Sequence, residues 1–158
     1  RVLGRPAIRV SAGDFLRAAS LRLEHGHYDP DAYYDEWLDT DGLRREVLGP
    51  LEPGGSGRIL LALRDPHADR AVHSSYVDAP ERAVLLLDGE LLLGQELPVD
   101  YTVHLWLSDA ALRRRLPEEL HWRLPAYRRY AAEVDPLRSA DTAVRVDDPE
   151  HPALRDAA

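Results

Sequence analysis

Arg82-Ala83-Val84-Leu85-Leu86-Leu87-Asp88-Gly89-Glu90-Leu91-Leu92-Leu93 is the stretch whose reading decides the fold. Ala83 to Leu87 is an unbroken apolar run that meets Asp88-Gly89 at once. Such a short run, closed by a turn signal, predicts a strand buried on both faces, as in a parallel sheet. An acid at the carboxyl end of that strand stands where open α/β sheets bind ligands. In phosphate-transferring enzymes that acid holds Mg²⁺, directly or through water. A plain turn Asp satisfies the same local pattern.

Working outward, the neighbouring segments alternate between strand and helix patterns. Ala7 to Val10 reads as a strand that enters the polar turn Ser11-Ala12-Gly13-Asp14-Phe15, with a helix over Leu16 to Leu23. Asp14 suits either a helix cap or a base taking a proton from a substrate hydroxyl. His25 and His27 lie beside Asp29 and Asp31, which are metal-ligand types, but a polar loop rich in Asp and Pro reads first as solvated. Tyr33, Tyr34 and Trp37 serve packing or stacking on a flat ligand. A helix over Asp39 to Leu48 is expected to end at Gly49-Pro50. Arg58 to Leu63 and Val72 to Val77 read as strands of a hairpin-like excursion.

After the central stretch, Thr102 to Leu107 reads as a strand and Ser108-Asp109 as the cap of a helix to Leu116. Arg113, Arg114 and Arg115 point to different sides of that helix, toward solvent or toward a phosphate. Glu118 to Ala132 is a helix interrupted by Pro125, and Thr142 to Val146 is the last strand. Asp147 to Ala158 reads as a polar tail, so residues 1–147 form the domain and 148–158 the tail. Strands alternating with helices predict a three-layer α/β domain with a mostly parallel sheet.

Composition narrows the function. The 158 residues, 44% apolar and 30% charged, fit one globular domain. A net charge of −8 argues against a nucleic-acid binder. No apolar run is long enough to span a membrane. Cysteine is absent, which removes disulfides and thiolate chemistry. All 20 basic residues are Arg, so no lysine of a phosphate loop or Schiff base lies in this chain. Pro53-Gly54-Gly55-Ser56-Gly57 is glycine-rich but lacks the G-x-x-x-x-G-K-[ST] pattern. With no Met, an opening Arg1-Val2-Leu3 reads as truncated, and Gly4 before Arg5-Pro6 reads as the cap of a helix begun upstream.

Taken in order, these motifs resemble the uridine kinase-like branch of the P-loop kinases, which includes phosphoribulokinase and pantothenate kinase. Val10-Ser11-Ala12-Gly13-Asp14-Phe15 resembles V-S-x-D-D-F, and Tyr28-Asp29-Pro30-Asp31-Ala32-Tyr33 resembles the acid-proline-aromatic substrate loop. Leu43 to Gly55 resembles the helix and Pro-Gly-Gly turn, and Ala83 to Gly89 the core strand ending in D/E-G. Ala111-Leu112-Arg113-Arg114-Arg115 resembles the lid, and Ala140-Asp141-Thr142-Ala143-Val144 the closing strand.

The resemblance implies a P-loop NTPase-like domain whose first βα unit is missing here, and a cytoplasmic location. It implies transfer of the ATP γ-phosphate, with Mg²⁺, to a hydroxyl of a nucleoside or similar small molecule. Asp88 would lie near Mg²⁺, and Asp14 would be the base left after Gly13 replaces the first Asp of the pair. Arg114 and Arg115 would meet phosphate, with Arg123 covering for a lid arginine displaced by Glu118-Glu119. Tyr28, Asp29 and Tyr33 would line the substrate loop. Without a phosphate loop the chain as written is expected to be inactive. The competing reading is a non-catalytic relative that binds a ligand or a protein partner.

Overall fold

The computed structural model describes residues 4–66 and 68–155. Strand β1 (Ala7–Ser11) enters a 3-10 turn at Ala12–Phe15, then a short helix, α1 (Ala19–Arg22). Helix α2 (Pro30–Asp35) follows. The next rod begins as α3 (Thr40–Leu43), widens to a π turn at Arg44–Leu48 and closes as α4 (Gly49–Leu51). Four short strands come next: β2 (Arg58–Ile59), β3 (Arg64–Asp65), β4 (Arg70–Ala71) and β5 (Val77–Asp78). They form nested antiparallel pairs, β3 with β4 inside β2 with β5. The chain continues through β6 (Val84–Asp88), β7 (Val103–Trp106), α5 (Asp109–Arg115) and a 3-10 segment at Glu118–Arg123. Helix α6 (Leu124–Glu133), α7 (Pro136–Ser139), β8 (Thr142–Arg145) and β9 (Ala153–Arg155) complete it.

The fold is α/β with parallel pairing at its centre. β1 lies parallel to β6, from Ala7 opposite Val84 to Ser11 opposite Asp88. β7 lies parallel to β8, and β9 adds antiparallel to β8. Alternation along β1 and β6 aims Ile8, Val10, Leu85 and Leu87 at one face, where they pack on Phe15, Leu43 and Val47. Phe15, Leu43 and Val47 are fully buried. A second cluster joins Tyr33 and Trp37 to Ala126 of α6, with Trp122 and Tyr127 packed around it. Among the described residues no helix is long and apolar enough to cross a membrane.

Several expected elements take a different form. The run Ala83 to Leu87 is a strand, but only one face is covered: Leu86 is 52% exposed. The helix expected over Leu16 to Leu23 shortens to α1, because Leu16 bridges Leu38 and the Arg17 N–H donates to the Trp37 carbonyl. Gly49-Pro50 does not stop its helix. Pro50 has no N–H for the Glu46 carbonyl, and the Leu60 N–H donates there instead at 3.0 Å. Pro125 does not interrupt a helix either; it occupies the first turn of α6, where a missing N–H costs nothing. The polar segment after Asp147 supplies the edge strand β9. Gly4 has the positive φ of a helix cap, 76°, while Arg1 to Leu3 lie outside the described residues.

Candidate functional site

Parallel pairing brings the carboxyl ends of β1 and β6 to one edge. Ser11 lies opposite Asp88, and the chain turns immediately after each. Gly89 makes the close approach possible: a Cβ there would stand 2.6 Å from the Ala12 Cβ. The segments Ser11-Ala12-Gly13-Asp14 and Asp88-Gly89-Glu90 therefore meet. Asp14 sits within the 3-10 turn, half-buried, and its carbonyl accepts from the Leu63 N–H.

Asp88 is not alone. Arg9, two residues back along β1, donates from Nε to Oδ1 at 2.6 Å and from Nη2 to Oδ2 at 3.3 Å. These charge-assisted bonds, with smaller help from the Ser11 hydroxyl, hold the Asp88 carboxyl below its ordinary range. Among the described residues no group of three or more acidic or His side chains is placed to hold a metal ion. Asp88 is a single carboxylate of the type that Mg²⁺ takes, and both of its oxygens are bonded to Arg9 here.

The second half of the site surrounds Tyr33. Asp29 caps α2, its Oδ1 accepting from the Asp31 and Ala32 N–H groups, and this fixes the turn that presents Tyr33. The Tyr33 hydroxyl donates to Glu90 Oε2, which also accepts from the Tyr127 hydroxyl at 2.8 Å. Burial, then the Glu90 charge, pushes both phenols up, Tyr127 to about 12. Tyr33 stacks edge-on against Trp37 and Trp122, and the exposed Tyr28 ring meets Trp122 at 5.9 Å. The Arg123 guanidinium carbon lies 4.6 Å from the Tyr33 ring centre and 5.3 Å from those of Trp37 and Trp122.

Of the residues singled out in the sequence, Tyr28, Tyr33 and Arg123 come together, with Asp29 holding the turn. Asp88 ends β6 opposite Ser11, and Asp14 lies in the turn that follows β1, with no contact between the two side chains shown. Arg114 and Arg115 lie exposed in the last turn of α5, where Arg115 Nη2 donates to the Asp147 carbonyl. His25 faces Glu36 at 3.7 Å and forms no metal cluster. The sequence reading overlooked Arg9, Glu90, Trp122 and Tyr127. Glu90 was findable as the acid directly after Asp88-Gly89; Arg9 required the strand register.

A separate framework ties the site down. Arg129 of α6 pairs with Asp31 at 3.1 Å and Asp35 at 2.8 Å, both on α2, and with Glu133 at 2.9 Å. The buried Arg22 lies over Trp37 and meets Asp69 at 3.3 Å, and that carboxylate also caps the Ala19 N–H.

No protein-family model matches the sequence, and no curated protein matches it. Among solved structures the chain is similar to a possible uridine kinase from Bacillus stearothermophilus. The likeness has a TM-score of 0.66 at 17% identity and covers 89% of this chain and 72% of that one. The α/β fold of this chain is thus the fold of that possible uridine kinase.

Proposed function

We propose that this chain forms the acceptor-binding body of an ATP-dependent phosphotransferase of uridine kinase-like type. The observation that carries the reading is that the segments holding Asp14 and Asp88-Gly89-Glu90 leave the carboxyl ends of parallel β1 and β6 side by side, with Glu90 bonded to Tyr33 of the Tyr33–Arg123 cluster. Ligands of open α/β sheets bind at such an edge. Asp88 is the Mg²⁺ partner, Asp14 the group that takes the acceptor proton, and Arg114 the cation for the transferring phosphate. The fold likeness to a possible uridine kinase supports the class of chemistry.

The same proposal accounts for the open edges. β6 and β7 each keep one edge without a strand partner among the described residues. Leu86, Val103 and Leu105 stand 52%, 56% and 63% exposed on these strands. Apolar strands left open in this way ask for cover. We read the two parallel pairs as flanks of one sheet, with a phosphate-loop strand and its helix filling the gap and the open face. Phosphoryl transfer depends mainly on positioning and charge stabilisation, so this chain without that loop turns over no ATP.

The test uses natural protein that carries such a loop. Asp88→Ala should lower Mg²⁺-dependent phosphate transfer more than Asp14→Ala does. Equal losses contradict the assigned roles. The second reading is a non-catalytic relative. Gly13 in place of an acid, and Arg9 bonded to both Asp88 oxygens, favour it. It predicts ligand binding with no transfer in any form of the protein.

A further inference from the structure

We propose that Arg123 anchors an anion subsite beside Tyr33, Trp37 and Trp122, and that the acceptor is a hydroxylated acid, bearing a carboxylate or a phosphate. The Arg123 Nε is shut off from solvent and has no hydrogen-bond partner. No hydrogen bond or ion pair joins its guanidinium to any described residue. The contrast with Arg129 and Arg22 is direct, since both of those are matched by carboxylates.

Three aromatic rings hold Arg123, Tyr33 at 4.6 Å and Trp37 and Trp122 at 5.3 Å. Ring faces stabilise a cation but do not accept N–H bonds in the guanidinium plane. A buried donor left unmet is costly. A planar, bidentate oxyanion admitted beside Nε would meet this donor. Its place identifies which ligand it serves. Tyr33 belongs to α2 and Trp37 follows it, while Trp122 touches Tyr28, so the cation sits on the substrate-loop side. Arg114 of α5 is left for the transferring phosphate.

Glu90 supplies the second half of the specificity. Tyr33 and Tyr127 both donate to Oε2, and no described residue donates to Oε1. A fixed carboxylate of this kind accepts from a ligand hydroxyl. Arg123 and Glu90 both contact Tyr33, so one small molecule carrying an anion and hydroxyls satisfies the pair. A neutral nucleoside offers Arg123 carbonyl acceptors but no charge and no paired oxyanion.

The word acceptor rests on the phosphotransferase reading; the anion subsite does not. Trp37 and Trp122 report on it directly. The chain carrying Trp106→Phe, which removes the remaining Trp, is titrated at constant ionic strength with glycerate, ribose 5-phosphate or uridine, following Trp emission. We expect a saturable change with glycerate or ribose 5-phosphate, the responding one naming the anion, and a weaker or absent response to uridine. Arg123→Gln should weaken the response at least about tenfold. If that variant does not fold by circular dichroism, Arg123→Lys keeps the charge, loses the fork and should also weaken it. No saturable response to either anion, or a response unchanged in a folded variant, overturns the proposal. Failure of phosphate transfer with anion binding intact overturns the kinase reading alone.

Discussion

The Arg9 guanidinium bonds to both oxygens of Asp88 across the β1–β6 pair, Nε to Oδ1 at 2.6 Å and Nη2 to Oδ2 at 3.3 Å. Both side chains are largely open to water, 76% and 48% exposed, so the pair contributes little to stability. Its effect is on the state of Asp88. Arg9→Gln should leave the melting temperature close to wild type and raise the Asp88 carboxyl toward its ordinary range. Carbon-13 NMR titration of the Asp side chains reads the change. An unmoved Asp88 would show that Arg9 does not control it.

Gly89 should tolerate no side chain. The Cβ of Gly89→Ala would fall 2.6 Å from the Ala12 Cβ. Overpacking of this kind costs about 1–3 kcal/mol and here pushes the two strand ends apart. Urea denaturation should show the loss. A neutral Gly89→Ala would mean that the two turns are not in contact.

The two faces of the β1–β6 pair should respond differently to truncation. Leu43, fully buried beneath Val10 and Val47, should lose about 2–5 kcal/mol as Leu43→Ala. Leu86→Ala, on the open face of β6, should cost much less. Similar losses, compared by urea denaturation, would place cover over Leu86 within this chain.

Tyr33, Tyr127 and Tyr130 are all held protonated by burial, the latter two with phenols pushed up to about 12. An ordinary phenol titrates near 10. The folded protein therefore holds these protons more tightly than the unfolded chain does. The contribution of Tyr127 and Tyr130 to stability is complete below pH 10 and is lost progressively as pH rises through about 12. Tyr127→Phe should make the alkaline fall in stability shallower. Chemical denaturation at pH 9 and above tests this, and identical slopes would contradict it.

His104 has the opposite sign. Burial lowers its pKa below the usual 6.5, so the unfolded chain takes up the proton first. Stability from this group is present above pH 6.5 and falls as pH drops below that value. His104→Gln should flatten the acid side of the stability curve in that window. An unchanged curve would remove His104 as the cause.

Much of the fold was legible because it rests on short-range pattern. The apolar run before Asp88 and the short Ala7 to Val10 segment both read as strands, and parallel pairing is expected from strands that alternate with helices. What escaped depended on partners far away in the chain. Pro50 reads as a stop until Leu60 supplies a donor for the Glu46 carbonyl. The polar segment after Asp147 reads as a tail until β8 offers it an edge. Leu86 reads as buried because apolarity does not say whether anything covers the second face. In the site, single residues at strand ends were visible from local motifs. Arg9 and the Glu90–Tyr127 bond needed the register and the packing of α6 to appear.

The measurement closest to the central claim is phosphorus-31 NMR of Mg²⁺, ATP and a mixture of hydroxylated acceptors. It is recorded with this chain and with natural protein that carries a phosphate loop. The account predicts a new phosphate-ester resonance with the natural protein and none with this chain. A natural protein that holds the loop yet transfers phosphate to no acceptor would contradict it, as would ATP turnover by the 158-residue chain.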